Sequence, residues 1–194
     1  LYVNLSHGAT VERINEAAAL IRSIDDTHPI ATIYGEVPSV ETVDAMPDID
    51  VWGINAYRGI SFGNLFELWA AVSDKPMFMG EYGADAFNAL PEVNAYDPVS
   101  QRHAVTSLSQ EIIENSTLKG GPCSGGTVFE WADEWWKAEG GDPSVQDNGG
   151  IAPGGGPYPD NTFNEEWWGL VDIDRVKRPA LEGLTAVFAG VSNK

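Results

Sequence analysis

Four times along this chain a short apolar run is followed by a stretch of helical periodicity, and that alternation restricts the fold more than any other feature. The runs are Ile30-Ala31-Thr32-Ile33-Tyr34, Val51-Trp52-Gly53-Ile54-Asn55-Ala56-Tyr57, Met77-Phe78-Met79-Gly80-Glu81 and Thr127-Val128-Phe129-Glu130-Trp131. Their length and β-branched or aromatic content predict buried strands. Helices are predicted around them. Val11, Ile14, Ala18 and Ile21 recur at steps of three and four after a capping Thr10. Ser39 caps a stretch carrying Val40, Val43 and Met46, and Leu65, Leu68 and Val72 mark the next. Asp97-Pro98 supplies an N-cap and a first-turn proline for a helix with Val105, Leu108 and Ile112 on one face. The last begins at Arg178-Pro179 and is expected to bury Leu181, Leu184, Phe188 and Val191.

Strands that each feed a helix cannot pair as hairpins, so they are read as parallel and joined by right-handed crossovers. An open doubly wound sheet would want a glycine-rich phosphate loop after an early strand, and no G-x-G-x-x-G or Walker pattern follows any of these runs. A (β/α)8 barrel is the other solution, and it needs eight strands and about 250 residues. Four strands in 194 residues are therefore expected to form half of one.

Composition narrows the partners. Twenty-nine acidic against 11 basic side chains, a net charge of −18, repel phosphate backbones and anionic lipid, so neither nucleic acid nor membrane is an expected partner. No apolar stretch approaches the roughly 20 residues of a membrane span. The first seven residues lack the regions of a signal peptide, and there is no initiator Met; the chain is read as processed or excerpted from something longer. A single cysteine, Cys123, and the unclustered His7, His28 and His103 show no metal-ligand spacing, so no metal and no cofactor is expected. The acidic, Gly- and Pro-rich run Gly140 to Pro159 is read as a loop; its aspartates lack the ligand spacing of a calcium site.

Candidate chemistry gathers at the C-terminal ends of the strands, the face on which barrel enzymes place their sites. Side-chain alternation points Asn55 and Tyr57 the same way. Glu81 ends an otherwise apolar strand, an expensive position for a carboxylate unless it is used or paired. Glu130 and Trp131 end the fourth run, Trp135 and Trp136 follow, and Trp167-Trp168 come later. Aromatic faces beside carboxylates suit sugars, whose C–H faces pack on rings while their hydroxyls seek acceptors.

Four runs make the chain recognisable. Pro76-Met77-Phe78-Met79-Gly80-Glu81-Tyr82-Gly83-Ala84 resembles the seventh-strand signature of clan A retaining glycoside hydrolases. Asp50-Val51-Trp52-Gly53-Ile54-Asn55-Ala56-Tyr57-Arg58-Gly59 resembles their sixth strand, and Ser124 to Trp131 with Trp168-Gly169-Leu170-Val171-Asp172 resembles the eighth strand and its return. The combination is similar to β-1,3-glucanosyltransferases and to family 2 barrels such as β-galactosidases and β-glucuronidases. The resemblance implies an α/β chain forming strands 5 to 8, the C-terminal half of a TIM barrel, with residues 1–194 as one partial catalytic domain. It implies Glu81 as nucleophile, Tyr57 as its hydrogen-bond partner and Trp131 as a sugar platform, with Asn55, Glu130 and Trp135 as further contacts.

The fourth-strand Asn-Glu pair that supplies the acid/base in this clan is absent from the chain. The expected function is thus that of a retaining β-glycosidase on a neutral polysaccharide or oligosaccharide, a β-glucan first. An upstream Glu in the missing N-terminal half of the barrel would be the acid/base, and the piece alone would be inactive. The glycan alone suggests an extracellular or periplasmic location. The alternatives are a non-catalytic carbohydrate-binding or pseudoenzyme barrel, and a structural half-barrel that pairs with another chain.

Overall fold

A computed structural model describes residues 5–137, 141–148 and 156–192. Leu1 to Asn4 and, from the acidic glycine-rich run, Gly140 and residues 149–155 lie outside the described residues. The elements follow in the order α1 (His7–Ile24), β1 (Ala31–Gly35), α2 (Val40–Asp44), β2 (Val51–Asn55), α3 (Leu65–Val72), β3 (Met77–Tyr82), β4 (Phe87–Asn88), β5 (Ala95–Tyr96), α4 (Pro98–Glu114), a 3-10 turn (Thr117–Lys119), β6 (Cys123–Val128) and α5 (Pro179–Ser192). The main sheet runs β1-β2-β3-β6, all parallel. Its order is strictly sequential, without the reversal that defines a doubly wound sheet.

Residues from α1 to α4 (Val11, Ala18, Val43, Leu65, Phe66, Trp69, Leu108 and Ile112) join Trp52, Ile54, Met77, Met79 and Tyr82 in one buried cluster. That places the helices on one face of the sheet. On the other face Ile33 is 52% exposed, although its run reads from sequence as fully buried. Its side chain meets the positions that β-carbons on Gly53 and Gly80 would occupy, so these residues share the face that a closed barrel turns inward.

Local chemistry moves several boundaries. The N-cap of α1 is Ser6, whose hydroxyl accepts from the Ala9 N–H; Thr10, expected to cap, sits in the first turn and donates back to the Ser6 carbonyl. In α3 the buried residues are Leu65, Phe66 and Trp69, whereas Leu68 is 40% exposed. In α5, Ala180 and Leu184 are buried while Phe188 is half exposed. The cap at Asp97 and the proline after it stand as expected, with the Asp97 carboxylate accepting from the Ser100 N–H.

The largest shift is in β6, which begins at Cys123 and ends at Val128 rather than running on to Trp131. Gly126 falls inside the strand, where a β-carbon would lie 2.9 Å from Met79 Cβ and 3.0 Å from the Tyr82 ring. The glycine admits close approach of β6 to β3.

Candidate functional site

The sheet brings Tyr57 and Glu81 together. Tyr57 follows β2 and Glu81 lies near the end of β3, and the neighbouring strands are paired as Asn55 with Glu81. Register shifts fall between Ile54 and Asn55 and between Met79 and Tyr82, so the polar ends are aimed independently of the apolar runs beneath them. The Tyr57 hydroxyl donates to Glu81 Oε2 at 2.9 Å. Burial, and then the Glu81 charge, push the Tyr57 phenol far above its ordinary range, so it stays protonated and remains a donor.

Around this pair lies a pocket of about 220 Å³ lined by Tyr57, Glu81, Phe129, Lys137, Phe163, Glu165 and Trp168. Its aromatic wall is tightly built. The Tyr57 ring meets Phe163 at 5.2 Å and Trp168 at 5.1 Å edge-on, and Phe163 stacks on Trp168 at 5.7 Å. Lys137 lies over the Phe129 ring, 4.2 Å from its centroid. A larger hollow of 810 Å³ lined by Val43, Pro47, Ala71 and Pro76 precedes the strands and lies at the other end of the sheet.

The other expected contacts fall around the pocket rather than in its lining. Trp131 is 61% exposed. Because β6 ends at Val128, the aromatic next to the strand end is Phe129, whose N–H donates to the Tyr82 carbonyl. Trp135 packs edge-on against Trp136 at 5.6 Å. Asn55 Oδ1 is buried where a Gly80 β-carbon would stand, 2.5 Å away, and accepts no hydrogen bond among the described residues. Glu130 Oε1 is likewise buried without a partner among the described residues. Burial, reinforced by Glu134 and opposed by Lys137, pushes the Glu130 carboxyl up to about 8.

Phe163, Glu165 and Lys137 belong to the pocket and are not legible as site residues from strand patterns, since all three sit in the long connection after β6. One signal exists. Residues 163–166 alternate, with Phe163 and Glu165 lining the pocket and Asn164 and Glu166 fully buried beside it. Asn164 Nδ2 donates to Asp85 Oδ1 at 3.0 Å, and Glu166 Oε2 accepts from the Asp147 N–H at 2.8 Å. The alternation thus anchors the loop on one side and furnishes the pocket on the other.

Burial pushes the Asp85 carboxyl up to about 8 against the pull of hydrogen bonds from Phe87 and Asn164. Below its ordinary value of 3.8 Asp85 is protonated folded or unfolded and its contribution is fully present. Between there and about 8 only the unfolded carboxyl ionises, so stability is lost as pH rises. Asp85→Asn keeps an oxygen for the Phe87 and Asn164 donors, both of which reach Oδ1. Thermal unfolding scans at pH 5 and pH 8 should show the variant gaining on wild type by at least roughly 3 °C at the higher pH, the shift that about 1 kcal/mol produces in a chain of this size. An unchanged difference between the two pH values would show that Asp85 is ionised in the folded state.

Among the described residues no group of three or more His, Cys, Asp or Glu side chains could hold a metal ion, and no helix is long and apolar enough to cross a membrane.

No family model and no curated protein sequence matches the chain. Solved structures do. The family 2 β-galacturonidase from Eisenbergiella tayi, bound to galacturonate, aligns with a TM-score of 0.61 and 18% identity over 94% of this chain and 31% of its own. A thermostable mutant of a xylanase from Cellvibrio japonicus aligns at 0.60 and 17%, over 92% and 55% of the two chains. The family 17 β-1,3-glucanosyltransferase from Rhizomucor miehei aligns at 0.54 and 14%, over 88% and 56%. The chain thus spans under a third of the galacturonidase and about half of the other two. Its fold is part of the (β/α)8 barrel of these clan A glycoside hydrolases, as the resemblance of its strand motifs implies.

Proposed function

We propose that this chain supplies the nucleophile-bearing half of a retaining β-glycosidase, or a related transglycosidase, acting on a neutral glycan with a β-glucan as the first candidate. The observation that carries the reading is the hydrogen bond from Tyr57 to Glu81 at 2.9 Å on the wall of a pocket with three further aromatic rings. A buried donor that stays protonated fixes the carboxylate and leaves its other oxygen, Oε1, to attack an anomeric carbon held against Phe163 and Trp168. At 220 Å³ the pocket is below the size of sites for drug-sized ligands, which suits one sugar ring at the cleavage point.

In the first step a Glu81 oxygen bonds to the anomeric carbon as the bond to the leaving oxygen breaks, and that oxygen takes a proton from a second carboxylic acid. In the second, water or another sugar hydroxyl attacks the glycosyl ester, returns its proton to the same carboxylate and frees Glu81. The second carboxyl belongs, in this reading, to the N-terminal half of the barrel. Half-exposed Ile33 on the inner face, and outer edges of β1 and β6 that pair with no strand among the described residues, support a sheet completed by further strands. Such an enzyme works on exported glycans, so an extracellular or periplasmic setting belongs to the proposal.

An activated 2-deoxy-2-fluoro-β-glucoside supplied to the full-length protein should leave a glycosyl adduct on Glu81, read by peptide mass spectrometry. An adduct on another carboxylate, or none, would overturn the assignment.

A further inference from the structure

Among the described residues Lys137 is the single cation in the pocket lining, and its surroundings are unequal. Its Nζ lies 3.0 Å from Glu134 Oε2 and 3.6 Å from Glu165 Oε2. The first contact is a hydrogen-bonded ion pair three residues apart on the chain. The second is beyond hydrogen-bond length, and it joins two groups that both line the pocket. An ammonium carries three donors and a carboxylate several acceptor sites. Across a gap of this width one sugar hydroxyl can accept from Lys137 while its neighbour donates to Glu165. Both bonds involve an ionised partner and are therefore strong.

Charge decides what the same wall turns away. Glu81 and Glu165 face the pocket, and the one ammonium is already held by Glu134. A sugar carboxylate entering here would lose its water and gain net repulsion. A neutral ring loses nothing of that kind, and its C–H face packs on Phe163 and Trp168.

We propose that Lys137 and Glu165 are a specificity-determining pair that binds two adjacent hydroxyls of a neutral hexopyranose and excludes the corresponding uronate. The proposal rests on the glycan-site reading above and narrows it to a substrate class.

Equilibrium binding of methyl β-D-glucopyranoside and of methyl β-D-glucopyranosiduronate to the full-length protein, followed by calorimetry, tests it. The neutral glycoside should bind at least roughly tenfold more tightly than the uronate, the discrimination expected when a buried charge goes unpaired. Lys137→Met should weaken the neutral glycoside by about tenfold. Glu165→Gln should weaken the neutral glycoside and tighten the uronate, so that the preference narrows or inverts. That opposite movement is a readout a merely structural role cannot produce. Equal binding of the two glycosides, tighter binding of the uronate by wild type, or binding of neither would overturn the pair. So would variants that shift both affinities by the same factor. Discrimination that persists while Glu81 takes no 2-fluoroglycosyl adduct would refute the nucleophile assignment and leave the recognition pair standing.

Discussion

Asp133→Asn should lower the free energy of unfolding by about 3–5 kcal/mol, the loss typical when one member of a buried ion pair is removed. Asp133 and Arg178 are almost fully buried, at 0% and 2% side-chain exposure. Their contact is bidentate, with Arg178 Nη1 on Asp133 Oδ1 at 2.5 Å and Nη2 on Oδ2 at 2.6 Å. Asp133 also accepts from the Gly169 N–H and from Gln146 Nε2, both at 2.8 Å. Arg178 also donates to the Trp167 and Gly169 carbonyls. The pair therefore ties the segment after β6, the return through Trp168 and the start of α5 into one unit. Removing the carboxylate charge strands a guanidinium in the interior. Arg178→Met should cost a similar amount. In the double variant Asp133→Asn with Arg178→Met no guanidinium remains unpaired, so its loss should fall well short of the sum. Urea unfolding of the three variants checks this, and additive losses, or a single-variant loss under about 1 kcal/mol, would show that the two charges are not coupled. Because Trp168 stacks on Phe163 in the pocket, the same variants should also weaken glycan binding.

The parts of this molecule that were legible in its sequence are those whose physics is local. Parallel strands buried beneath helices read as apolar runs, and Asp97-Pro98 satisfies its own helix terminus, so order and fold class follow from spacing alone. Glu81 was legible for a related reason, since it closes an apolar run where only a paired or working carboxylate is tolerated; its partnership with Tyr57 is what the resemblance of the strand motifs implies. Ile33 reads as buried because its run carries the pattern of a closed interior, and the face it occupies is half exposed in this chain.

What stayed hidden depends on partners far away in sequence. The small antiparallel pairing of Phe87 with Tyr96 and Asn88 with Ala95 involves two-residue strands too short to show a period. Gly125 and Gly126 precede the apolar run, and Met79 and Tyr82 packed against Gly126 draw them into the strand; the resulting three- to four-residue displacement of β6 puts Phe129, not Trp131, beside Tyr57. The far wall of the pocket is set by Asn164 on Asp85 and by Asp160 on the Ala89 N–H. These contacts join residues more than 70 positions apart, which no spacing rule reaches.

Glu81→Gln should abolish turnover by the full-length protein, with kcat falling on the order of 10⁴- to 10⁶-fold, the range seen when a covalent nucleophile is lost. The substitution keeps size and shape, and the amide oxygen can still accept from the Tyr57 hydroxyl, so the fold and the affinity for a neutral glycoside should remain close to wild type. An amide oxygen does not form the glycosyl ester, and the double displacement stops before its first bond. Tyr57→Phe should be milder, about 10- to 100-fold in kcat, because it removes one hydrogen bond to the carboxylate and leaves the nucleophile in place. Azide separates chemistry from architecture. In Glu81→Gly the freed space admits the anion, which bonds to the anomeric carbon as an activated leaving group departs and gives the glycosyl azide of inverted configuration. A role confined to supporting the pocket predicts no such product. Turnover above about 1% of wild type in Glu81→Gln, or rescue that yields no azide adduct, would remove Glu81 from the reaction as its nucleophile.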